Sequence, residues 1–99
     1  MNLIQIYSNE ISNLCKTHKV KSLYAFGSVL TEKFNPESDV DLIVDFYQID
    51  VLEYGDNYYH LKFSLEDIFK TNVDLLEEQA IRNPYFLQTL NQNKKLIYG

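Results

Sequence analysis

Apolar and polar positions recur along the chain with periods that change from segment to segment. Over residues 3–18, Leu3, Ile4, Ile6, Tyr7, Ile11 and Leu14 return at three- and four-residue steps, the spacing of an amphipathic helix. Asn2, followed by Gln5 three residues later, supplies capping chemistry at its start. Residues 19–26, KVKSLYAF, turn apolar toward their end and predict a strand that stops at Gly27. A helical turn fits residues 28–33, and the Asn35-Pro36 pair marks a turn after it. The clearest strand covers 40–46, where Val40, Leu42, Val44 and Phe46 share one face while Ile43 shares the other with Asp41 and Asp45. A strand apolar on both sides is usually central. Residues 50–70 predict a helix whose buried stripe is Tyr54, Tyr58, Leu61, Leu65, Ile68 and Phe69, with Gly55 and Asp56-Asn57 leaving its start open. A short strand, NVDLL, follows at 72–76. Asn83-Pro84 then opens a last helix running to about residue 91, and residues 96–98 close with a strand. The order predicts an α/β (α+β) fold in which helices pack on a small mixed sheet.

Length and composition narrow the picture. A chain of 99 residues suits one domain over 1–99, without repeats or a linker. At 45% hydrophobic and 14% aromatic residues it is too apolar for disorder, yet no apolar run reaches bilayer length. The first residues carry no basic start and no cleavage-site pattern, so a cytoplasmic location is expected. One cysteine, Cys15, excludes an internal disulfide and a cysteine zinc cluster, and reads as an unreactive helix-face thiol. Nine basic against fourteen acidic residues argue against general nucleic-acid binding. The same balance suits a divalent cation, because hard metals select carboxylate oxygens and make a phosphate ligand tolerable beside them.

The chemistry concentrates in three places. Asp39 and Asp41 alternate along a strand, so both point to one face about 6.5–7 Å apart. Carboxylates so placed can share one or two cations, as in two-metal sites. Ten residues upstream, Gly27 allows a sharp turn and close ligand approach, while the Ser28 hydroxyl and the free N–H groups of the following turn can meet a phosphate. Asp74 lies among Val73, Leu75 and Leu76, where an unpartnered carboxylate is costly unless it meets a cation. Should its strand neighbour that of Asp41, the three carboxylates form a triad in which Asp74 is both ligand and base. Other candidates read more plainly. His18, His60 and Arg82 take surface or packing roles; Tyr58, Tyr59 and Phe63 form a stripe for core or interface; Asp45 is a helper or salt-bridge partner.

Gly27-Ser28, ten intervening residues, Asp39-Val40-Asp41 and the later strand residue Asp74 together resemble the minimal nucleotidyltransferase family of the polymerase β-like superfamily. The resemblance runs from the leading helix to the closing NPYFLQTLNQNKKLIYG. It implies a palm-like catalytic core that transfers AMP from ATP to a hydroxyl, with two magnesium ions, and releases pyrophosphate. It assigns both metals to Asp39 and Asp41, completes the triad with Asp74, and gives the triphosphate to Gly27 and Ser28. Members of the family commonly serve as antitoxins that modify a helical HEPN-domain RNase on tyrosine, so such a partner, and a homo- or hetero-oligomer, is expected. One departure stands out. Where relatives continue Gly-Ser with an arginine-rich run, this chain has Val29, Leu30, Thr31 and Glu32, leaving Lys33 as the substitute cation. Two alternatives follow: an antitoxin that neutralises its partner by binding alone, and a D-x-D phosphatase, for which the chain leaves little room.

Overall fold

A computed structural model describes residues 3–30 and 39–99. The expected cap at Asn2, the Asn35-Pro36 turn, and Thr31, Glu32 and Lys33 lie outside the described residues. Four strands form one mixed sheet in the order β3-β2-β1-β4. They are β1 (Val20–Phe26), β2 (Val40–Phe46), β3 (Val73–Glu77) and β4 (Lys95–Tyr98). β1 runs antiparallel to both β2 and β4, whereas β2 and β3 are parallel. The parallel pair needs a crossover, which helix α3 (Val51–Phe69) supplies. The predicted mixed sheet under helices is therefore the architecture found.

The leading helix is interrupted. It divides into α1 (Leu3–Ile6) and α2 (Ser8–Thr17), separated by Tyr7. The Tyr7 ring packs edge-on against Phe69, with centroids 6.4 Å apart, and Ile6 is half exposed. One straight helix could not bury every apolar residue of that stretch on a single stripe. Asp50 settles the start of α3, its side chain accepting a hydrogen bond from the Leu52 N–H at 3.0 Å. Gly55 is thus an interior residue of the helix. At the other end Lys70 adopts φ +59° and returns its N–H to the Glu66 carbonyl, the left-handed stop usually given to glycine. Asn83 caps the last helix, α4 (Pro84–Asn93), accepting from the N–H groups of Tyr85 and Phe86. A short 3₁₀ turn over Glu78–Ala80, which the pattern did not predict, follows β3.

The core lies between the sheet and the pair α2 and α3. Val40, Leu42 and Val44 of β2 meet Leu23 and Ala25 of β1, Val73 and Leu75 of β3, Ile11 and Cys15 of α2, and Leu61, Leu65 and Phe69 of α3. Alternation sends Asp41, Ile43 and Asp45 to the opposite face of β2, and Asp74 to that face of β3. Ile43 is nevertheless buried there, and Lys94, following α4, stands 4.0 Å over the Tyr24 ring beside it. No helix among the described residues is long and apolar enough to cross a membrane.

Two outcomes test this packing. Leu61 is fully buried at the centre of the core, so Leu61→Ala should lower the unfolding free energy by about 2–5 kcal/mol in a urea titration. Cys15 is also fully buried, and burial pushes its thiol up to about 12. Only the thiolate alkylates, so the native chain at pH 8 should resist iodoacetamide, followed by intact mass, and react once urea unfolds it.

Candidate functional site

Parallel register decides which carboxylates meet. In the β2–β3 ladder Asp41 stands directly opposite Asp74, and neighbouring strands lie about 4.8 Å apart. Asp39 is exposed just before β2 and has the same strand parity as Asp41. The start of this ladder is held from both sides. The Val40 N–H donates to the Asn72 carbonyl at 3.0 Å, and the Val73 N–H donates to Oε2 of Glu66 on α3 at 2.9 Å. One residue beyond Asp74, the Tyr58 hydroxyl of α3 donates to the Leu75 carbonyl at 2.5 Å. Hydrogen bonds from α3 thus fix the peptide units on both sides of Asp74. Glu66 and Tyr58 are the residues that sequence reasoning missed, because their partners lie seven and seventeen positions away. Glu66 left no mark in the apolar pattern, and Tyr58 entered it only as a member of the stripe.

The electrostatics record the crowding. Burial, then the charge of Asp74, then that of Asp39, hold the Asp41 carboxyl above its ordinary range. No ion pair among the described residues engages any of the three. Nor do any three His, Cys, Asp or Glu side chains among the described residues close tightly enough to grip one ion. A set of carboxylates that raises the pKa of its own member fits a hard divalent cation, whose oxygen ligands it would supply.

Gly27 closes the site from the side of β1. Phe26 pairs with Asp41, and Gly27 follows at φ +78°, opening a 3₁₀ turn over Gly27–Leu30. A Cβ built at Gly27 would meet Oδ2 of Asp41 at 2.8 Å. Both the backbone conformation and this contact require a residue without a side chain. Val29 of the same turn is buried and belongs to the core, so it presents nothing to a ligand. The Ser28 side chain and Lys33 lie outside what is described. The structure therefore brings Gly27, Asp39, Asp41 and Asp74 to one end of the sheet.

The remaining candidates are elsewhere. Asp45 accepts a hydrogen bond from the Gln79 amide at 3.1 Å instead of meeting a cation, and with Tyr54 and Glu77 it lines a cavity of about 350 Å³ at the far end of β2. Burial raises the Glu77 carboxyl. Tyr59 and Phe63 stack at 6.0 Å and are half exposed, while Arg82 is exposed. His18 is buried and bonded to His60, a pairing across 42 residues that neither histidine's local sequence announced.

Comparison with known proteins agrees with this architecture. Residues 9–99 match the family model described as polymerase beta, nucleotidyltransferase. A Methanocaldococcus jannaschii protein named "Putative protein adenylyltransferase MJ0128" is 35% identical over 86 residues, which are 86% of this chain and 82% of that protein. A solved structure described as a "putative minimal nucleotidyltransferase" superposes with a TM-score of 0.77 at 25% identity, covering 96% of this chain and 95% of the other. A more distant likeness in fold, TM-score 0.61 at 19% identity over 97% of this chain and 72% of the other, is to a structure of the tri-AMPylated Shewanella oneidensis HEPN toxin in complex with MNT antitoxin. With nearly the whole chain matched, and with the carboxylates and the glycine turn gathered at one end of the sheet, this protein belongs to the polymerase β nucleotidyltransferase family.

Proposed function

We propose that the chain is a magnesium-dependent adenylyltransferase that moves AMP from ATP to a hydroxyl, most simply a tyrosine, of a helical HEPN-type toxin, and acts as its antitoxin. The observation that carries this reading is the pairing of Asp41 with Asp74 across parallel strands, next to a glycine whose missing side chain leaves room for the Asp41 carboxylate. Asp39, Asp41 and Asp74 would hold two magnesium ions, which when bound neutralise phosphate charge and lower the pKa of the attacking hydroxyl. Asp74, exposed at the sheet edge, is open to an acceptor from outside and serves as the base that takes its proton. Gly27 and the turn after it offer backbone N–H groups to the triphosphate. The similarity to protein adenylyltransferases supports a protein acceptor, and the likeness to the antitoxin of an AMPylated HEPN toxin supports the class of partner.

Val29 favours a second reading. Its place in the core removes one of the phosphate contacts that an arginine there would make. Under that reading the chain keeps the fold and neutralises the toxin by covering it.

Labelled ATP, magnesium and the product of the neighbouring gene separate the two. The Asp39→Asn, Asp41→Asn double variant should lose label transfer by about a hundredfold or more and no longer protect cells. It should also unfold at an equal or higher temperature than the wild type, because the buried charge of Asp41 and its repulsion by Asp74 and Asp39 are gone. Equal transfer by both proteins contradicts the mechanism, and protection without transfer selects the binding-only reading. Gly27→Ala should cost about 1–2 kcal/mol from its left-handed backbone and reduce transfer more than that loss explains, since the new methyl displaces Asp41. Thermal melts and the same transfer assay check both parts.

A further inference from the structure

A second cluster of ligating groups lies at the other end of β1, where α2 meets α3. His18, the residue that ends α2, is buried and holds Nδ1 2.8 Å from the Leu14 carbonyl. A carbonyl only accepts, so that nitrogen carries a proton. In the neutral ring Nε2 then bears a lone pair. It points at Nδ1 of His60, 2.6 Å away, and the two rings lie within 28° of parallel with centroids 4.9 Å apart. The Asn57 amide donates to the His18 carbonyl at 2.9 Å and braces the two helices at this point. His60 is exposed, so the pair can be reached from solvent.

From this geometry we infer that His18 and His60 form a bidentate site for a borderline transition metal of the zinc class. Three features converge on it. A histidine ligand ordinarily donates its other ring N–H to a carbonyl, which orients the ring and strengthens the ligand, and Leu14 does this for His18. The site lies at the C-terminal end of α2, where carbonyl dipoles favour a cation. Lys19, the adjacent positive charge, is drawn toward Glu53 at 3.9 Å. Among the described residues no third His, Cys, Asp or Glu stands close enough to join the pair, so water would complete the coordination. Metal–nitrogen bonds of about 2.0–2.1 Å in tetrahedral geometry set two nitrogens about 3.3 Å apart, and a metal on the His18 Nε2 lone pair displaces the exposed His60 ring sideways by about 2 Å. Its Nδ1 proton moves to Nε2, which solvent solvates, and the neutral pair binds without net proton release. Imidazole ligands prefer zinc, nickel or copper to magnesium. The site therefore differs in metal preference and position from the carboxylates, and its occupancy would clamp α2 to α3.

Thermal unfolding of the full chain with Zn²⁺ alone, after chelator treatment and gel filtration, tests the inference. The midpoint should rise by about 5 °C or more at Zn²⁺ tenfold above its dissociation constant. The rise should persist in the Asp39→Asn, Asp41→Asn variant and vanish in His60→Gln, and Mg²⁺ should not reproduce it in that carboxylate variant. In ¹⁵N-resolved spectra, Zn²⁺ should shift His18 Nε2 and His60 Nδ1 while leaving His18 Nδ1 protonated. No shift in the wild-type midpoint overturns the site, as does a shift retained by His60→Gln or one lost with the two aspartates.

Discussion

In the pairing of β2 with β3, two parallel strands carry Asp41 and Asp74 opposite one another on the face turned away from the core. The arrangement opposes the charges of these carboxylates, and the rest of the molecule is organised to hold it. Val40, Leu42, Val44, Val73 and Leu75 alternate with the acids and are buried on the other side, so a slip of one residue would exchange core for carboxylate along the whole strand. The hydrophobic face thus enforces a register that electrostatics alone would avoid. Glu66 and Tyr58 add hydrogen bonds from α3 to the backbone on either side of Asp74.

The same constraint explains why Gly27 is needed. Antiparallel pairing brings the end of β1 beside Asp41, and the chain must turn there without adding a side chain. A larger residue would clash with a carboxylate that burial and two like charges already disfavour. No cation relieves the repulsion among the chain's own ion pairs in the described residues, and under the proposed function a bound divalent cation would do so.

Much of this was legible in the sequence, for physical reasons that differ by element. The alternation in VDLIVDF identified β2 and the face of its aspartates, because both sides of that strand meet well-defined surroundings. The stripe of α3 was clear for the same reason, and Leu61, Leu65 and Phe69 are its buried members. Contacts between distant segments were not legible. Nothing near His18 signals His60, and nothing near Glu66 indicates that it receives the Val73 N–H. The contact of Tyr7 with Phe69, where the first helix divides, joins residues far apart in the chain. Asp45 looked like a helper of Asp41 from spacing alone, yet the 3₁₀ turn after β3 brings Gln79 to it. Periodicity reports which face an element buries, whereas side-chain partners are set by packing in three dimensions.

The most direct measurement is a crystal structure grown with Mn²⁺ and a non-hydrolysable ATP analogue, with the metal located by anomalous scattering. The account predicts manganese peaks ligated by Asp39, Asp41 and Asp74, with the analogue's phosphates against the Gly27 turn. Manganese bound away from these three carboxylates, or Asp74 turned away from Asp41 in the occupied site, would contradict it.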